Sequence, residues 1–150
     1  MGTVAVWAVV VALSAAATEP IDLTQTGSRV IVRLQVLDPD SVGGDPMHSL
    51  ERELHRGVKP DGKTYHVLVA VYDTTTRGRS ADVESVTATV IDGHGRTAAH
   101  LEPMSAGGEV GYGNYFDFGA EGPYQILVAV RLRGQHDPVA VEFNLAHLPQ

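Results

Sequence analysis

RVIVRLQVLD, residues 29 to 38, alternates between apolar and polar side chains. Its apolar members lie two residues apart: Val30, Val32, Leu34 and Val36. Arg33 and Gln35 occupy positions between them. Successive side chains of a β-strand point to opposite faces of the sheet. The spacing therefore predicts a strand with one face in a core and the other near solvent.

The same pattern returns along the rest of the chain. Further apolar segments, rich in β-branched and aromatic residues, are separated by turn residues such as Asp92-Gly93. These segments are YHVLVAVYD, VESVTATVID, RTAAHLEPM, the stretch from Gly111 to Phe118, YQILVAVRL and VAVEFNLA. With the first strand they make about seven. Short strands at this spacing predict an all-β fold, an immunoglobulin-like antiparallel β-sandwich.

One segment interrupts the strands and predicts a short helix. In DPMHSLERELHRG, residues 45 to 57, Asp45 suits the N-cap, Pro46 the first helical position and Gly57 the end. This helix would carry His48, Glu51 and His55 along one side. Those side chains either bind zinc or copper or form the solvated face that amphipathic helices commonly have.

The first 17 residues predict a secretory signal peptide. An apolar run from Val4 to Leu13 precedes the small residues Ala15 to Ala17, the pattern of a signal and its cleavage site. No Lys or Arg precedes the run, so an uncleaved N-terminal anchor is the alternative. We expect a periplasmic or secreted protein. Residues 18 to 28 would form a polar linker, and residues 29 to 150 the sandwich domain.

Composition narrows the classes of partner and of chemistry. The 150 residues carry a net charge of −7 and no basic cluster, which argues against nucleic acid and anionic membranes as partners. The absence of cysteine excludes disulfides, thiolate metal sites and a thiol nucleophile. The phosphate-loop, G-x-S-x-G and H-E-x-x-H motifs are absent as well. We therefore expect a protein that is not an enzyme, with no catalytic residues.

Four residues are candidate metal ligands. Met104 follows Pro103 and precedes a Gly-Gly pair, a turn-prone setting in which a thioether either binds a soft metal or packs under the loop. His66 shares its face with Leu68, His136 lies in the RGQHDP turn, and His147 continues the parity of a core face. Each histidine also has an ordinary alternative as a hydrogen-bonded or exposed side chain.

The stretch around Met104 carries a resemblance to a known family. Pro103-Met104 is followed by Ser105-Ala106-Gly107-Gly108, then by Gly111-Tyr112-Gly113-Asn114 and by Gly122-Pro123-Tyr124. This order resembles the periplasmic iron-transport (Fe²⁺ transport protein) family, over roughly residues 64 to 145. Members are small exported immunoglobulin-like sandwiches that bind copper or iron.

The resemblance implies Met104 as a metal ligand and His136 as a second one by its place in a turn. The family's histidine of the His-Tyr-Gly motif falls on Gly111, and its N-terminal strand histidine has no counterpart in RVIVRLQVLD. His66 and His147 are the imidazoles that could rebuild a site. Met104 with one imidazole suits Cu(I), which accepts soft ligands in low number, better than iron.

Two functions from different classes follow. The first is an exported copper-binding accessory protein, with iron as the other metal to consider, that serves a membrane transporter or another periplasmic protein. The second is a β-sandwich interaction module without a metal site. The sequence leaves open whether the chain forms a homodimer. A metal site at Met104 requires an imidazole nitrogen within about 5 Å of its sulfur, because coordination bonds are shorter and an empty site can relax.

Overall fold

The structure is a computed structural model that describes residues 21–38, 64–80, 82–106, 109–119 and 121–149. Within these residues it contains eight β-strands and no helix. The strands are β1 (Ile21–Thr26), β2 (Val30–Leu37), β3 (Thr64–Asp73), β4 (Val83–Asp92), β5 (Gly95–Ala106), β6 (Glu109–Asp117), β7 (Tyr124–Leu132) and β8 (Val139–Leu145). The all-β prediction is confirmed. The predicted signal and helix lie outside the described residues.

All neighbouring strands are antiparallel, in the order β1-β2-β3-β6-β5-β4-β7-β8. Strand β5 belongs to both layers, because Gly95 to Leu101 pair with β4 whereas Glu102 to Ala106 pair with β6. The two end strands of this order, β1 and β8, approach each other, so the sheet nearly closes on itself.

The inward faces of both layers form one apolar core. The alternation in β2 is confirmed, since all four of its apolar positions are buried while Arg33 is exposed. The other strands of both layers contribute buried side chains at alternate positions, which include Val67, Val69, Val71, Val86, Ala88, Val90, Phe116, Ile126, Val128, Val130 and Phe143. Burial of such side chains is the main stabilising contribution to a sandwich that has no disulfides.

The N-terminal boundary differs from the prediction. Ile21–Thr26, expected to be part of a linker, forms β1 and pairs along its whole length with β2. Ile21 and Leu23 alternate with polar residues and pack against the core, and Asp22 forms an ion pair with Arg33. The polar composition of the segment concealed this short edge strand, because only one of its faces is apolar. The sandwich therefore includes residues before position 29.

Met104 also lies elsewhere than expected. Strand β5 continues past it to Ala106, and Met104 is paired with Gly111 of β6, so it is a strand residue and not a turn residue. Pro103 is tolerated at this place near the end of the strand. The turn expected around Asp92 is present, because its carboxylate accepts hydrogen bonds from the backbone N–H groups of His94 and Gly95 at 2.8 and 3.1 Å.

Candidate metal-binding site

Strand β6 separates the two strands that carry the site. On one side it pairs with β3, where His66 is opposite Tyr115 and Leu68 is opposite Gly113. On the other side it pairs with β5, where Met104 is opposite Gly111. Residues opposite each other, and residues two apart on one strand, point to the same face. His66, Gly113 and Met104 therefore share a face, which is the one away from the core.

Gly113 is the point at which Met104 and His66 meet. A Cβ built on this glycine would lie 2.7 Å from Nε2 of His66 and closer still to Sδ of Met104. The two distances add to 5.1 Å, which is the greatest separation that the sulfur and the nitrogen can have. The space above Gly113 is therefore a cradle bordered by a thioether and an imidazole, and any side chain at position 113 would fill it.

Burial distinguishes His66 from an ordinary surface histidine. Although its face of the sheet points away from the core, only 2% of the residue is exposed. Its ring lies against that of Tyr115, with centroids 4.8 Å apart and planes at 36°. Met104 is half-buried, so it is more exposed than His66. This arrangement orients Nε2 of His66 toward Gly113 and Met104.

The chemistry of the donors favours a soft, singly charged metal ion. A thioether and an imidazole suit Cu(I), whereas divalent ions such as Zn²⁺ normally take four ligands. Within the described ranges, no group of three or more His, Asp or Glu side chains could hold a metal ion. The residues above Gly113 therefore fit Cu(I), with Met104 and His66 as the side chains that would hold it.

The empty family position at Gly111 lies next to this cradle. A Cβ there would be 3.2 Å from Cδ1 of Leu68 and 3.4 Å from the carbonyl oxygen of Val69. Leu68 thus borders the place that a histidine side chain would need. His66 comes to the sulfur from the opposite neighbour of β6, on strand β3, so an imidazole reaches Met104 by a different route.

The other two predicted ligands are placed on the second layer. His136 is exposed in the turn between β7 and β8, and its carbonyl oxygen accepts a hydrogen bond from Arg131 at 3.4 Å. His147 is exposed as well, because β8 ends at Leu145 and the chain bends before His147 can continue the core face. The structure thus joins Met104 with His66, while a ligand role for His136 and His147 stays a prediction. His48, Glu51 and His55 lie outside the described residues.

The aromatic stretch beside the site divides between the two faces as its parity predicts. Phe116 and Phe118 are buried in the core, and Tyr115 points to the side of His66. Sequence reasoning did not single out Gly113 or Tyr115. Their importance depends on the register between β3 and β6, for which a single sequence contains no local signal.

Comparison with known proteins identifies the fold. No protein-family model matches the sequence, and no curated protein is similar to it at the level of sequence. Solved structures do resemble it, at identities low enough that the likeness concerns the fold alone. Among them is FetP of uropathogenic Escherichia coli strain F11, expressed in the periplasm, with a TM-score of 0.63 and 14% identity over 90% of this chain and 99% of FetP.

Two further structures extend the comparison. A copper-bound variant of Campylobacter jejuni P19 has a TM-score of 0.58 and 12% identity, covering 89% of this chain and all of P19. A DUF4426-family protein from Pseudomonas aeruginosa has a TM-score of 0.60 and 17% identity, covering 86% and 96% of the two chains. FetP itself also has a copper-bound variant structure. The β-sandwich of this chain is therefore one that known copper-binding proteins share.

Proposed function

We propose that this protein is an exported accessory protein that binds Cu(I) between Met104 and His66 and takes part in periplasmic metal handling. The observation that carries the proposal is the approach of Sδ of Met104 and Nε2 of His66 to the missing Cβ of Gly113. Two donors of this type, brought within 5.1 Å of each other in a partly buried setting, need only a small adjustment to share one metal ion.

Three further observations support it. The structures with the same fold include copper-bound FetP and P19. The order of residues from Pro103 to Asn114 resembles that of the iron-transport family, in which the corresponding methionine is a metal ligand. The N-terminal 17 residues predict export. Together these favour a periplasmic protein that works beside a metal transporter.

Binding and delivery, without catalysis, is the activity that these residues suit. The cradle offers one sulfur and one nitrogen as donor atoms. The sequence contains none of the catalytic motifs considered above, which would indicate a nucleophile and its base. Cu(I) would then be the cargo. Release to a transporter or to another periplasmic protein fits a site with few donors, because ligand exchange is easier when little of the coordination sphere must be replaced. Iron is the second metal that the family resemblance brings into consideration.

A metal titration tests the proposal. The mature protein is titrated with Cu(I) in competition with a chromogenic chelator, and with Cu(II), Fe(II) and Zn(II) separately. Met104→Leu is the matched variant, since it removes the sulfur at nearly constant volume. We expect the wild type to bind a single Cu(I) ion and the variant to bind it at least about tenfold more weakly, the equivalent of 1.4 kcal/mol. Equal Cu(I) affinity in both proteins would remove Met104 from the site. Absence of binding in the wild type would favour the interaction module.

A further inference from the structure

The pairing between β3, which carries His66, and the β5–β6 hairpin, which carries Met104, stops before either β3 or β6 ends. The pairing of β3 with β6 ends at Val69 and Tyr112. From Gly111 back to Glu109, β6 pairs with β5 and not with β3. Met104 is opposite Gly111, so it belongs to the end of the hairpin that does not pair with β3. The distance between Met104 and His66 therefore depends on what holds this unpaired end of the hairpin against β3.

Arg79 spans the gap at this place. Its Nη1 donates a hydrogen bond to the carbonyl oxygen of Val110 at 2.5 Å, and its Nη2 donates to the carboxylate of Glu109 at 2.8 Å. The guanidinium carbon lies 4.8 Å from the centroid of the Tyr72 ring, within the range of a cation–π contact. One side chain thus contacts both Tyr72, near the end of β3, and the first residues of β6.

The backbone of Arg79 is itself attached to β3. Arg79 forms an isolated antiparallel bridge with Tyr72, and the N–H of the following residue, Ser80, donates to the carbonyl oxygen of Val71 at 2.9 Å. The guanidinium therefore extends from a fixed base. A carbonyl oxygen held by a positively charged donor is more strongly bound than one held by a neutral donor.

The two bonds of Arg79 are unequal. Glu109 has a side chain that is 62% exposed, so its ion pair with Arg79 is screened by water and contributes little. The side chain of Arg79 is less exposed, at 29%, and its bond to Val110 constrains backbone directly. Val110 precedes Gly111, the partner of Met104, and is itself opposite Ser105. A constraint on its carbonyl thus acts one residue away from the Met104 pair.

We infer that Arg79 is a positioning residue for the Cu(I) site: it holds the β5–β6 hairpin so that Met104 stays within reach of His66. The inference rests on the proposed function. Arg79 does not touch the metal, and its effect passes through Val110 and Gly111 to Met104. Loss of the guanidinium would let the hairpin end move away from β3 and would weaken Cu(I) binding without removing a ligand.

The test compares three variants of the mature protein. Arg79→Gln removes the charged donors, Glu109→Gln removes only the exposed ion pair, and Arg96→Gln removes an exposed arginine beside the β4–β5 turn, in the second layer. We expect Arg79→Gln to lower Cu(I) affinity about tenfold, the equivalent of one hydrogen bond to a charged group. Glu109→Gln and Arg96→Gln should stay within about twofold, as exposed ion pairs and most surface substitutions do. Arg79→Lys, which keeps the charge and a donor, should recover part of the affinity.

A measurement without metal separates this inference from the proposed function. Amide hydrogen exchange of the apo protein at Met104 and Gly111 should be faster in Arg79→Gln than in wild type and in Arg96→Gln. Faster exchange with unchanged Cu(I) affinity would overturn the positioning role and leave a structural one. Unchanged exchange and unchanged affinity would overturn the inference altogether. Failure of the wild type to bind Cu(I) would instead refute the proposed function, and the exchange rates would still decide whether Arg79 holds the hairpin.

Discussion

Met104 and His66 lie on strands that do not pair with each other, and their side chains meet over Gly113 of the strand between them. Both side chains lean across β6 from opposite neighbours, which is feasible only because position 113 has no side chain. The same glycine therefore brings together the two donors and leaves room for what they would bind. Several consequences of this geometry can be measured.

Replacing Gly113 with alanine should damage the site directly. The added methyl group would lie 2.7 Å from Nε2 of His66 and closer to the sulfur of Met104, so both side chains must move apart. We expect Cu(I) affinity to fall at least about tenfold and the free energy of unfolding to fall by about 1–3 kcal/mol, as overpacking commonly costs. Chelator competition and urea denaturation measure the two effects. Gly111→Ala is the control, since its methyl group would lie 3.2 Å from the flexible end of Leu68, which can shift slightly, and 3.4 Å from the Val69 carbonyl oxygen. Equal losses in both variants would contradict the role of Gly113.

An imidazole at position 111 should change the metal preference. Gly111 is directly opposite Met104, so Gly111→His adds a nitrogen donor on the same face, at the position where the resembling family has its histidine. Because Cu(II) favours several nitrogen donors, we expect its affinity to rise more than that of Cu(I). Leu68 lies 3.2 Å from the new Cβ, and the variant is best made together with Leu68→Ala. Visible absorption and electron paramagnetic resonance report Cu(II) binding. Leu68→Ala alone should show no gain in Cu(II) affinity. A gain in that variant would attribute the effect to the cavity and not to the imidazole.

His136 and His147 provide a test of how many residues form the site. Both are exposed on the second layer, in the β7–β8 turn and after the end of β8. If Met104 and His66 alone hold Cu(I), then His136→Ala and His147→Ala should each leave the affinity within about twofold of wild type, as do most exposed substitutions. A tenfold loss in either variant would add that histidine to the ligand set. Isothermal titration of the two variants, beside Met104→Leu, gives the comparison.

The ion pair at the edge of the first layer predicts a dependence of stability on pH. The hydrogen bonds and the charge of Arg33 lower the pKa of Asp22 below its ordinary value of 3.8. A carboxylate with a lowered pKa in the folded state stabilises the fold above its ordinary pKa, and this stabilisation is lost as the pH falls below 3.8. Both side chains are more than a third exposed, so we expect the free energies of unfolding of wild type and Asp22→Asn to differ by less than about 1 kcal/mol at neutral pH.

Urea denaturation of wild type and Asp22→Asn at several pH values measures this difference in the free energy of unfolding. It should shrink as the pH falls below 3.8 and approach zero where Asp22 is protonated in both the folded and the unfolded chain, and high salt should reduce it at neutral pH. A difference that persists unchanged at acidic pH would show that Asp22→Asn acts through β1 packing and not through the charge.

Much of the fold could be predicted from local pattern. Val30 to Val36 alternate because one face of β2 is buried, and the same reasoning located six further strands. It failed for Ile21–Thr26, where a polar edge strand has too few apolar residues to be distinguished from a linker. It also placed Met104 in a turn, because Pro103 and the following glycines are turn residues. The pairing of Met104 with Gly111 overrides this local preference.

For the candidate site, too, the sequence determines one part and the tertiary structure another. The identity of the donors belongs to the sequence: a chain without cysteine can offer a soft metal only methionine sulfur and imidazole nitrogen, and Met104 and His66 are among its few such groups. The tertiary structure alone decided which imidazole meets the sulfur. Side-chain alternation is a property of each strand by itself, whereas the order β3-β6-β5 and its registers arise from pairings between residues far apart in the chain. Those long-range pairings place Gly113 between Met104 and His66, and they leave His136 and His147 on the other layer.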